Sequence, residues 1–241
     1  MLTFPNIIIA MITPFNQDGS VNYEAAVELA KKYADEGSGI LLGATTGEGA
    51  VMTEEEKLKL FKVVADELKG KTLIMGNVGT NNTAESIAIA KKAEATGVDL
   101  LLCIVPYYNK PNQDGCYAHF AAIAKATSLP FFIYNVPGRT GGSIEPETVC
   151  RLARDYDNII GLKDASASLD FAGYVAANAP EGFHLYSGED NLTLPIVAVG
   201  GEGVITVAGH VIGKEMDAMI QPIKTATSKR PLPFIRNTCP S

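Results

Sequence analysis

The sequence predicts an α/β protein that folds as a (β/α)8 TIM barrel, and three observations support this. Short β-branched runs alternate with longer helical patterns, which is typical of strand–helix units that build a parallel sheet. The chain has 241 residues, close to the roughly 250 that are usual for this barrel. There are eight such runs, at residues 7–12, 39–43, 72–77, 99–105, 130–135, 158–163, 183–187 and 203–207.

The segments between these runs carry signals for helix ends. Thr53 followed by Glu56 predicts a capping box, in which side chains and backbone exchange hydrogen bonds at a helix start. Pro146 suits the first turn of a helix, because its missing N–H would have no partner there. Gly37 and Gly97 predict the left-handed residue that ends a helix before the next strand.

A doubly wound open sheet is the alternative architecture. Its dinucleotide-binding fingerprint, Gly-x-Gly-x-x-Gly, would follow the first strand. After Ile12 the chain instead has Thr13, Pro14 and Phe15. We therefore favour the barrel, in which functional residues lie at the C-terminal ends of the strands.

Composition excludes several classes of function. The net charge of -7 and the absence of long basic tracts argue against nucleic acid or an anionic membrane as a partner. No apolar run approaches the roughly 20 residues of a spanning helix, and no basic leader precedes the apolar N-terminal stretch, so a cytoplasmic setting is expected.

The cysteines and histidines are too scattered for a zinc site or a disulfide framework. We expect no metal and four reduced thiols. The three histidines are expected to be structural. These residues are Cys103, Cys116, Cys150, Cys239, His119, His184 and His210.

Polar residues follow five of the predicted strands, so in a barrel they should meet at one mouth. They are Thr45 to Glu48, Tyr107 to Asn109, Tyr134 with Asn135 and Arg139, Lys163 with Asp164, and Ser187 to Asp190.

Lys163 is the most informative of these residues, because it closes an apolar run and would point into the barrel mouth. Burial destabilises an ammonium and leaves a neutral amine that can attack a carbonyl. The alternative is a solvated lysine on a strand-to-helix turn beside Asp164.

Two other groups also have two interpretations. Thr45, Thr46 and Gly47 offer hydroxyls and backbone N–H groups near a helix start, which suits a carboxylate, but the same residues suit a turn or a cap. Tyr107 and Tyr108 are either functional or packed at the rim.

Taken together, five motifs resemble those of the dihydrodipicolinate synthase family over about residues 3–221. The resemblance implies condensation of pyruvate with aspartate 4-semialdehyde, in lysine and diaminopimelate biosynthesis, without a cofactor or metal. The motifs are Ala44-Thr45-Thr46-Gly47-Glu48, Pro106-Tyr107-Tyr108-Asn109-Lys110-Pro111, Tyr134-Asn135-Val136-Pro137-Gly138-Arg139-Thr140, Gly161-Leu162-Lys163-Asp164 and Gly200-Gly201-Glu202-Gly203-Val204-Ile205.

The resemblance also implies the catalytic roles. Lys163 forms an imine with pyruvate, and Tyr134 is the proton shuttle. Thr45 and Tyr108 are its partners in a hydroxyl relay. Because this tyrosine comes from a neighbouring subunit in the family, at least a dimer is expected, and a homotetramer is typical.

Substrate contacts follow from the same resemblance. Thr46, beside Gly47, holds the pyruvate carboxylate, and the backbone carbonyl of Ile205 lies close to the imine. Arg139 receives the carboxylate of the semialdehyde, for which a guanidinium is well suited. N-acetylneuraminate lyases and ketodeoxygluconate-type aldolases are similar barrels without this arginine, and they remain the alternative.

Two departures from the family pattern stand out. Ala44 replaces a glycine before the two threonines, with little effect expected. At the positions matching the family's lysine-inhibition site, Asn81, Glu85 and Tyr107 fit, whereas histidines are replaced by the residues Glu54 and Lys57. Feedback inhibition by lysine is therefore not expected.

The C-terminal segment does not fit the family. We expect residues 1–221 to form the catalytic barrel and residues 222–241 an aberrant, irregular tail that lacks the family's C-terminal helical extension. Pro222, Pro231 and Pro233 stand where relatives continue helix eight, and an interior proline costs about 3 kcal/mol. The last helix should therefore end near Gln221.

A frameshift is our hypothesis for this tail. One set of codons for it, read one register over, encodes AYKNGDIKKAAAIHQKYL, which is close to the family's continuation. A single-base deletion near codon 221 would explain both readings. The chain as written would then be poorly soluble and weakly active, so an inactive remnant is a further alternative.

Overall fold

The structure is a computed structural model that describes residues 2–229. Eight parallel strands pair in chain order, and β8 pairs with β1, so the sheet is a closed barrel. The predicted fold class is therefore confirmed. The strands are β1 (Ile7–Ala10), β2 (Gly39–Leu42), β3 (Ile74–Asn77), β4 (Leu100–Ile104), β5 (Phe131–Asn135), β6 (Ile159–Asp164), β7 (His184–Ser187) and β8 (Gly203–Thr206).

Helices connect the strands and surround the barrel. Short 3-10 turns at Glu94–Thr96 and Asp190–Leu192 supplement them. The helices are α1 (Tyr23–Asp35), α2 (Glu54–Leu68), α3 (Thr83–Ala93), α4 (Gln113–Ala124), α5 (Pro137–Thr140), α6 (Pro146–Asp155), α7 (Leu169–Asn178), α8 (Thr193–Ala198) and α9 (Gly209–Lys229).

Alternate strand residues fill two separate cores, because successive side chains of a strand point to opposite faces. Ile8 on β1 and Leu41 on β2 lie inside the barrel, where Phe132 and Tyr186 also pack. Ile9, the residue after Ile8 on β1, points the other way and packs outward against the helices. Both faces of the sheet are thus buried, which explains the continuous apolar runs.

The predicted helix signals are confirmed. Thr53 and Glu56 form a reciprocal capping box at the start of α2, and Pro146 occupies the first turn of α6. Gly37 and Gly97 have φ angles of 83° and 90°, which is the left-handed region that glycine adopts without a steric penalty.

The prediction that the last helix ends near Gln221 was wrong, because α9 continues across Pro222 to Lys229. Pro222 has no N–H, so the Ala218 carbonyl lacks its helical donor. Both residues are exposed, and water can solvate that carbonyl. Beyond the proline, Lys224 Nζ donates to Asn6 Oδ1 at 2.7 Å. Tertiary contacts thus override the propensity of proline to end the helix.

The outer layer behind β8 is accordingly present. Met216 and Ile220 of α9 are buried in the outer core. Residues 230–241, which include the rest of the expected tail, lie outside the described residues.

Cys103, Cys116 and Cys150 are buried free thiols, and burial raises the pKa of each. Cys239 lies outside the described residues. Of the helices in residues 2–229, none has the length and apolar character needed to cross a bilayer.

Candidate functional site

A cavity of about 420 Å³ opens at the C-terminal ends of the strands. Charged, hydroxyl and apolar side chains from five parts of the barrel line it. The lining residues are Thr45, Thr46, Tyr134, Val136, Arg139, Lys163, Gly188, Glu189, Asp190, Ile205 and Val207. The cavity therefore brings together eight of the sixteen residues predicted from strand ends, and none of the three that follow β4 lines it.

Lys163 lies near the end of β6 and is only 5% exposed. In strand register it stands between Tyr134 of β5 and Tyr186 of β7, both of which face the barrel interior. Burial lowers the pKa of Lys163 to about 8, although Asp190 and Glu189 oppose the shift. At pH 7 about a tenth of the amine is then neutral, against roughly one part in three thousand for an unperturbed lysine.

Tyr134 places an aromatic ring beside this amine. The Lys163 Nζ lies 4.3 Å from the centre of the Tyr134 ring. Burial raises the pKa of Tyr134, while a hydrogen bond with the Thr45 side chain and the charge of Arg139 lower it. The phenol is thus protonated at neutral pH and connected to a hydroxyl at the cavity mouth.

Thr45, Thr46 and Gly47 lie on a series of turns after β2, and α2 begins only at Glu54. The expectation that these residues sit near a helix start was therefore wrong. The segment is held by close packing: a Cβ on Gly47 would lie 2.8 Å from the Met11 carbonyl oxygen. Substitution there would displace the threonines that line the cavity.

Arg139 and Ile205 line the cavity from different parts of the barrel. Arg139 lies on the short helix α5 and is exposed, so its guanidinium is accessible to a substrate at the mouth. Ile205 is buried on β8, where it pairs with Ile8 of β1. The two residues give the cavity one charged and one apolar wall.

A buried polar network supports the strand ends behind Lys163. Asp164 Oδ2 accepts a hydrogen bond from the Ser166 hydroxyl at 2.9 Å, and Asn135 Nδ2 donates to Asp164 Oδ1 at 3.4 Å. Ser143 donates to Asn135 Oδ1 at 3.2 Å, which ties the segment after α5 to β5. The network orients the strands that carry Tyr134 and Lys163.

Gly188 allows the lysine stem to pass close to the backbone after β7. A Cβ at this position would lie 2.8 Å from Ala165 Cβ and 3.2 Å from Lys163 Cε. A larger residue would therefore push the amine away from its place.

Glu189 and Asp190 line the cavity, although sequence reasoning gave them no role. Their position directly after the seventh strand predicted that they lie at the barrel mouth, but not what they do there. The pattern alone did not indicate that both carboxylates act on the charge of Lys163, because this depends on the path of the chain after β7.

Tyr108 does not line the cavity of its own chain. Its side chain is 89% exposed, and its φ angle of 73° lies in the left-handed region. Its backbone N–H donates to the Thr140 carbonyl at 3.1 Å. An exposed tyrosine on a backbone held in this way projects from the molecular surface.

The residues predicted for inhibitor binding lie around one cluster beside α2 and α3. Asn81 Nδ2 donates to the Tyr107 carbonyl at 3.2 Å, and Glu85 Oε2 accepts from the Thr80 hydroxyl at 3.2 Å. Lys57 is 7% exposed and faces this cluster. Burial lowers its pKa, and the charges of Glu85 and Glu54 raise it.

Besides its effect on Lys57, the Glu54 carboxylate forms an ion pair with Lys92. The family resemblance places the histidines of feedback-sensitive members at these two positions. In this chain Glu54 is an ion-paired carboxylate and Lys57 is a buried lysine.

Comparison with known proteins identifies the family. The model of the Dihydrodipicolinate synthetase family matches residues 3–230. The 4-hydroxy-tetrahydrodipicolinate synthase of Bacillus subtilis is 45% identical over 221 residues, covering 91% of this chain and 76% of that protein. The synthase of Thermosynechococcus vestitus is 48% identical over 223 residues, covering 92% and 75%.

Solved structures give the same result. A dihydrodipicolinate synthase of Bacillus anthracis superposes with a TM-score of 0.90 at 39% identity, covering 98% of this chain and 81% of that one. The lysine-bound enzyme of Cyanidioschyzon merolae has a TM-score of 0.88 at 44% identity, covering 90% and 74%. The motifs, the closed barrel and these matches agree, and the chain belongs to the dihydrodipicolinate synthetase family.

Proposed function

We propose that this chain is a Schiff-base lyase that condenses pyruvate with aspartate 4-semialdehyde to form 4-hydroxy-tetrahydrodipicolinate. The observation that carries the proposal is the buried amine of Lys163, whose pKa is lowered to about 8 in a cavity shared with Tyr134. Its relatives of 45% and 48% identity are 4-hydroxy-tetrahydrodipicolinate synthases.

The neutral Lys163 amine attacks the ketone carbon of pyruvate, and the carbinolamine loses water to give an iminium. The iminium withdraws electrons from the adjacent methyl group. When this group loses a proton, its electron pair forms the enamine, whose carbon attacks the aldehyde. The amino group of the bound semialdehyde then displaces Lys163 from the imine carbon, which closes the ring and restores the free amine.

Tyr134 serves as the acid and base in these steps. Its phenol is protonated at neutral pH and lies beside the amine, and the Thr45 side chain is close enough to lower its pKa. It donates the proton that lets the carbinolamine hydroxyl leave as water, and the resulting phenolate accepts a proton from the methyl group. Thr45 passes protons between this phenol and the cavity mouth.

The two substrate carboxylates bind at separate places. Thr46 and the backbone N–H groups near Gly47 hold the pyruvate carboxylate, next to the amine that attacks its ketone. Arg139 holds the carboxylate of the semialdehyde through a charge-assisted pair of hydrogen bonds. The chain has a net charge of -7, so this guanidinium at the mouth also offsets an unfavourable overall field.

Self-association completes the relay. Tyr108 is exposed on a backbone with a positive φ angle, and we assign it to the cavity of a neighbouring copy, where it meets Thr45. At least a dimer is then the active form, with a homotetramer as the family's usual state. Mixing an inactive Lys163→Ala chain with an inactive Tyr108→Phe chain should regain part of the activity, and no recovery would contradict this assignment. A cytoplasmic setting remains a prediction.

Reductive trapping tests the chemistry directly. Incubation with pyruvate and borohydride should add the reduced pyruvyl group to Lys163, as read by peptide mass spectrometry. Lys71, an exposed lysine in the turn after α2, is the internal control and should remain unmodified. A protein that folds but carries no adduct on Lys163 would overturn the proposal.

Substrate competition tests the choice of second substrate. The preformed enamine should be consumed by aspartate 4-semialdehyde faster than by sugar-acid aldehydes, because Arg139 matches a carboxylate close to the aldehyde. Preference for the longer polyhydroxylated aldehydes would instead assign the chain to another pyruvate-dependent aldolase.

A further inference from the structure

Asp190 is a cavity residue with no part in the reaction described above. It begins the 3-10 turn after β7, and its main-chain carbonyl accepts the Thr193 hydroxyl at 2.8 Å. Its carboxylate Oδ2 accepts the backbone N–H of Ala208 at 2.9 Å, just before α9. The carboxylate is therefore held in one place between the ends of two barrel strands.

The other carboxylate oxygen of Asp190 is buried and has no hydrogen-bond partner in the described residues. Leaving a buried acceptor without a hydrogen bond is unfavourable, and more so when the group is charged. Such atoms are uncommon in folded proteins and call for a specific reason. The cavity that Asp190 shares with Lys163 supplies one.

Four groups act on the Lys163 amine from the surrounding elements. They are Tyr134 from β5, Arg139 from α5, Glu189 after β7 and Asp190 from the 3-10 turn. Among the charged ones, Asp190 has the largest effect on the amine, Glu189 the next and Arg139 an opposing one. The net field therefore favours a cation at the lysine nitrogen.

We propose that Asp190 is the fixed counter-ion of the Lys163 nitrogen, first for the ammonium and then for the iminium formed with pyruvate. This inference rests on the proposed function. Beside a buried nitrogen, a fixed carboxylate replaces the solvation that a cationic nitrogen loses. The iminium must keep its positive charge to accept the electron pair of the methyl C–H bond, so the counter-ion preserves the electron sink. Asp190 is in this sense a positioning residue.

Asp190→Asn tests the proposal, because an amide oxygen still accepts the Ala208 N–H while the charge is lost. The readout is the initial rate of borohydride trapping with pyruvate as a function of pH. This rate rises with pH as the amine becomes neutral, and the pH range of that rise is the acidic limb. Without the carboxylate the amine loses its proton more easily, so the acidic limb should move to lower pH by about one unit. This is the low end of the effect of a nearby opposite charge. The pyruvate concentration for half-maximal trapping should rise, because the iminium is less stable.

Two control variants separate this role from a general effect of charge. Asp170→Asn removes an exposed charge in the first turn of α7 and should leave the limb in place. Glu189→Gln removes the second cavity carboxylate and should move the limb less than Asp190→Asn does. A larger movement in Glu189→Gln would overturn the assignment to Asp190.

The outcomes also distinguish this inference from the proposed function. If the wild-type chain forms no adduct, the proposed function fails. If the wild-type chain forms the adduct and Asp190→Asn shows the same acidic limb, the counter-ion role fails. Should Asp190→Asn not fold by circular dichroism, the wild-type limb is measured from low to roughly half-molar salt. A buried counter-ion is little screened, so a limb that moves by more than about 0.3 pH unit would overturn the proposal.

Discussion

Replacing Lys163 by methionine should make the protein more stable at neutral pH. The buried amine has its pKa lowered from 10.5 to about 8, so the folded protein binds this proton less well than the unfolded chain. At about 1.4 kcal/mol per pH unit, the difference corresponds to about 3 kcal/mol of lost folding free energy at pH 7. Methionine keeps an unbranched stem in the barrel without the charge.

The pH dependence has a definite sign. Because the folded-state pKa is the lower one, the penalty is complete below about pH 8 and disappears as the pH rises to about 10.5. The advantage of Lys163→Met should therefore fall from about 3 kcal/mol at pH 7 to below about 1 kcal/mol at pH 10. For a chain of this size the gain at pH 7 corresponds to an increase in Tm of about 6–12 °C.

Urea and thermal unfolding of the two proteins at both pH values would measure this gain. Lys71→Met is the matched control, because Lys71 is exposed and its replacement should change the stability by less than about 0.5 kcal/mol. A Lys163→Met variant no more stable than wild type at pH 7 would refute the reasoning. A gain that stays constant up to pH 10 would show that packing, and not charge, is responsible.

Three further predictions concern catalysis and regulation. Tyr134→Phe should lower kcat by about 10²–10⁴ through loss of proton transfer; steady-state kinetics measures this, and trapping should still label Lys163 fully, only more slowly. Arg139→Gln should raise KM for aspartate 4-semialdehyde by about 10–100-fold, since a hydrogen bond to a charged group contributes about 1.5–3 kcal/mol; an unchanged KM would contradict its role. Millimolar L-lysine should leave the rate unchanged, because the buried Lys57 ammonium already faces Glu85; inhibition in a steady-state assay would show that the site still accepts lysine.

Local signals in the sequence predicted the helix ends well. The capping box of Thr53 and Glu56 and the left-handed Gly37 depend on residues close in the chain, so a short window contains the information. The tail was the exception. Proline propensity predicted an end near Gln221, but the contact of Lys224 with Asn6 joins residues more than 200 positions apart.

The sequence by itself determined the barrel and most of its mouth, because β-branched runs and the polar residues that follow them are local patterns that an alternating chain must bring to one edge. Only the tertiary structure decided how the members of that mouth act on each other. The lowered pKa of Lys163 requires burial by strands distant in sequence. The Asp190 oxygen that has no hydrogen-bond partner within residues 2–229 depends on where the turn after β7 meets the backbone before α9. Desolvation and charge–charge effects depend on distances in space, and spacing along the chain does not contain them.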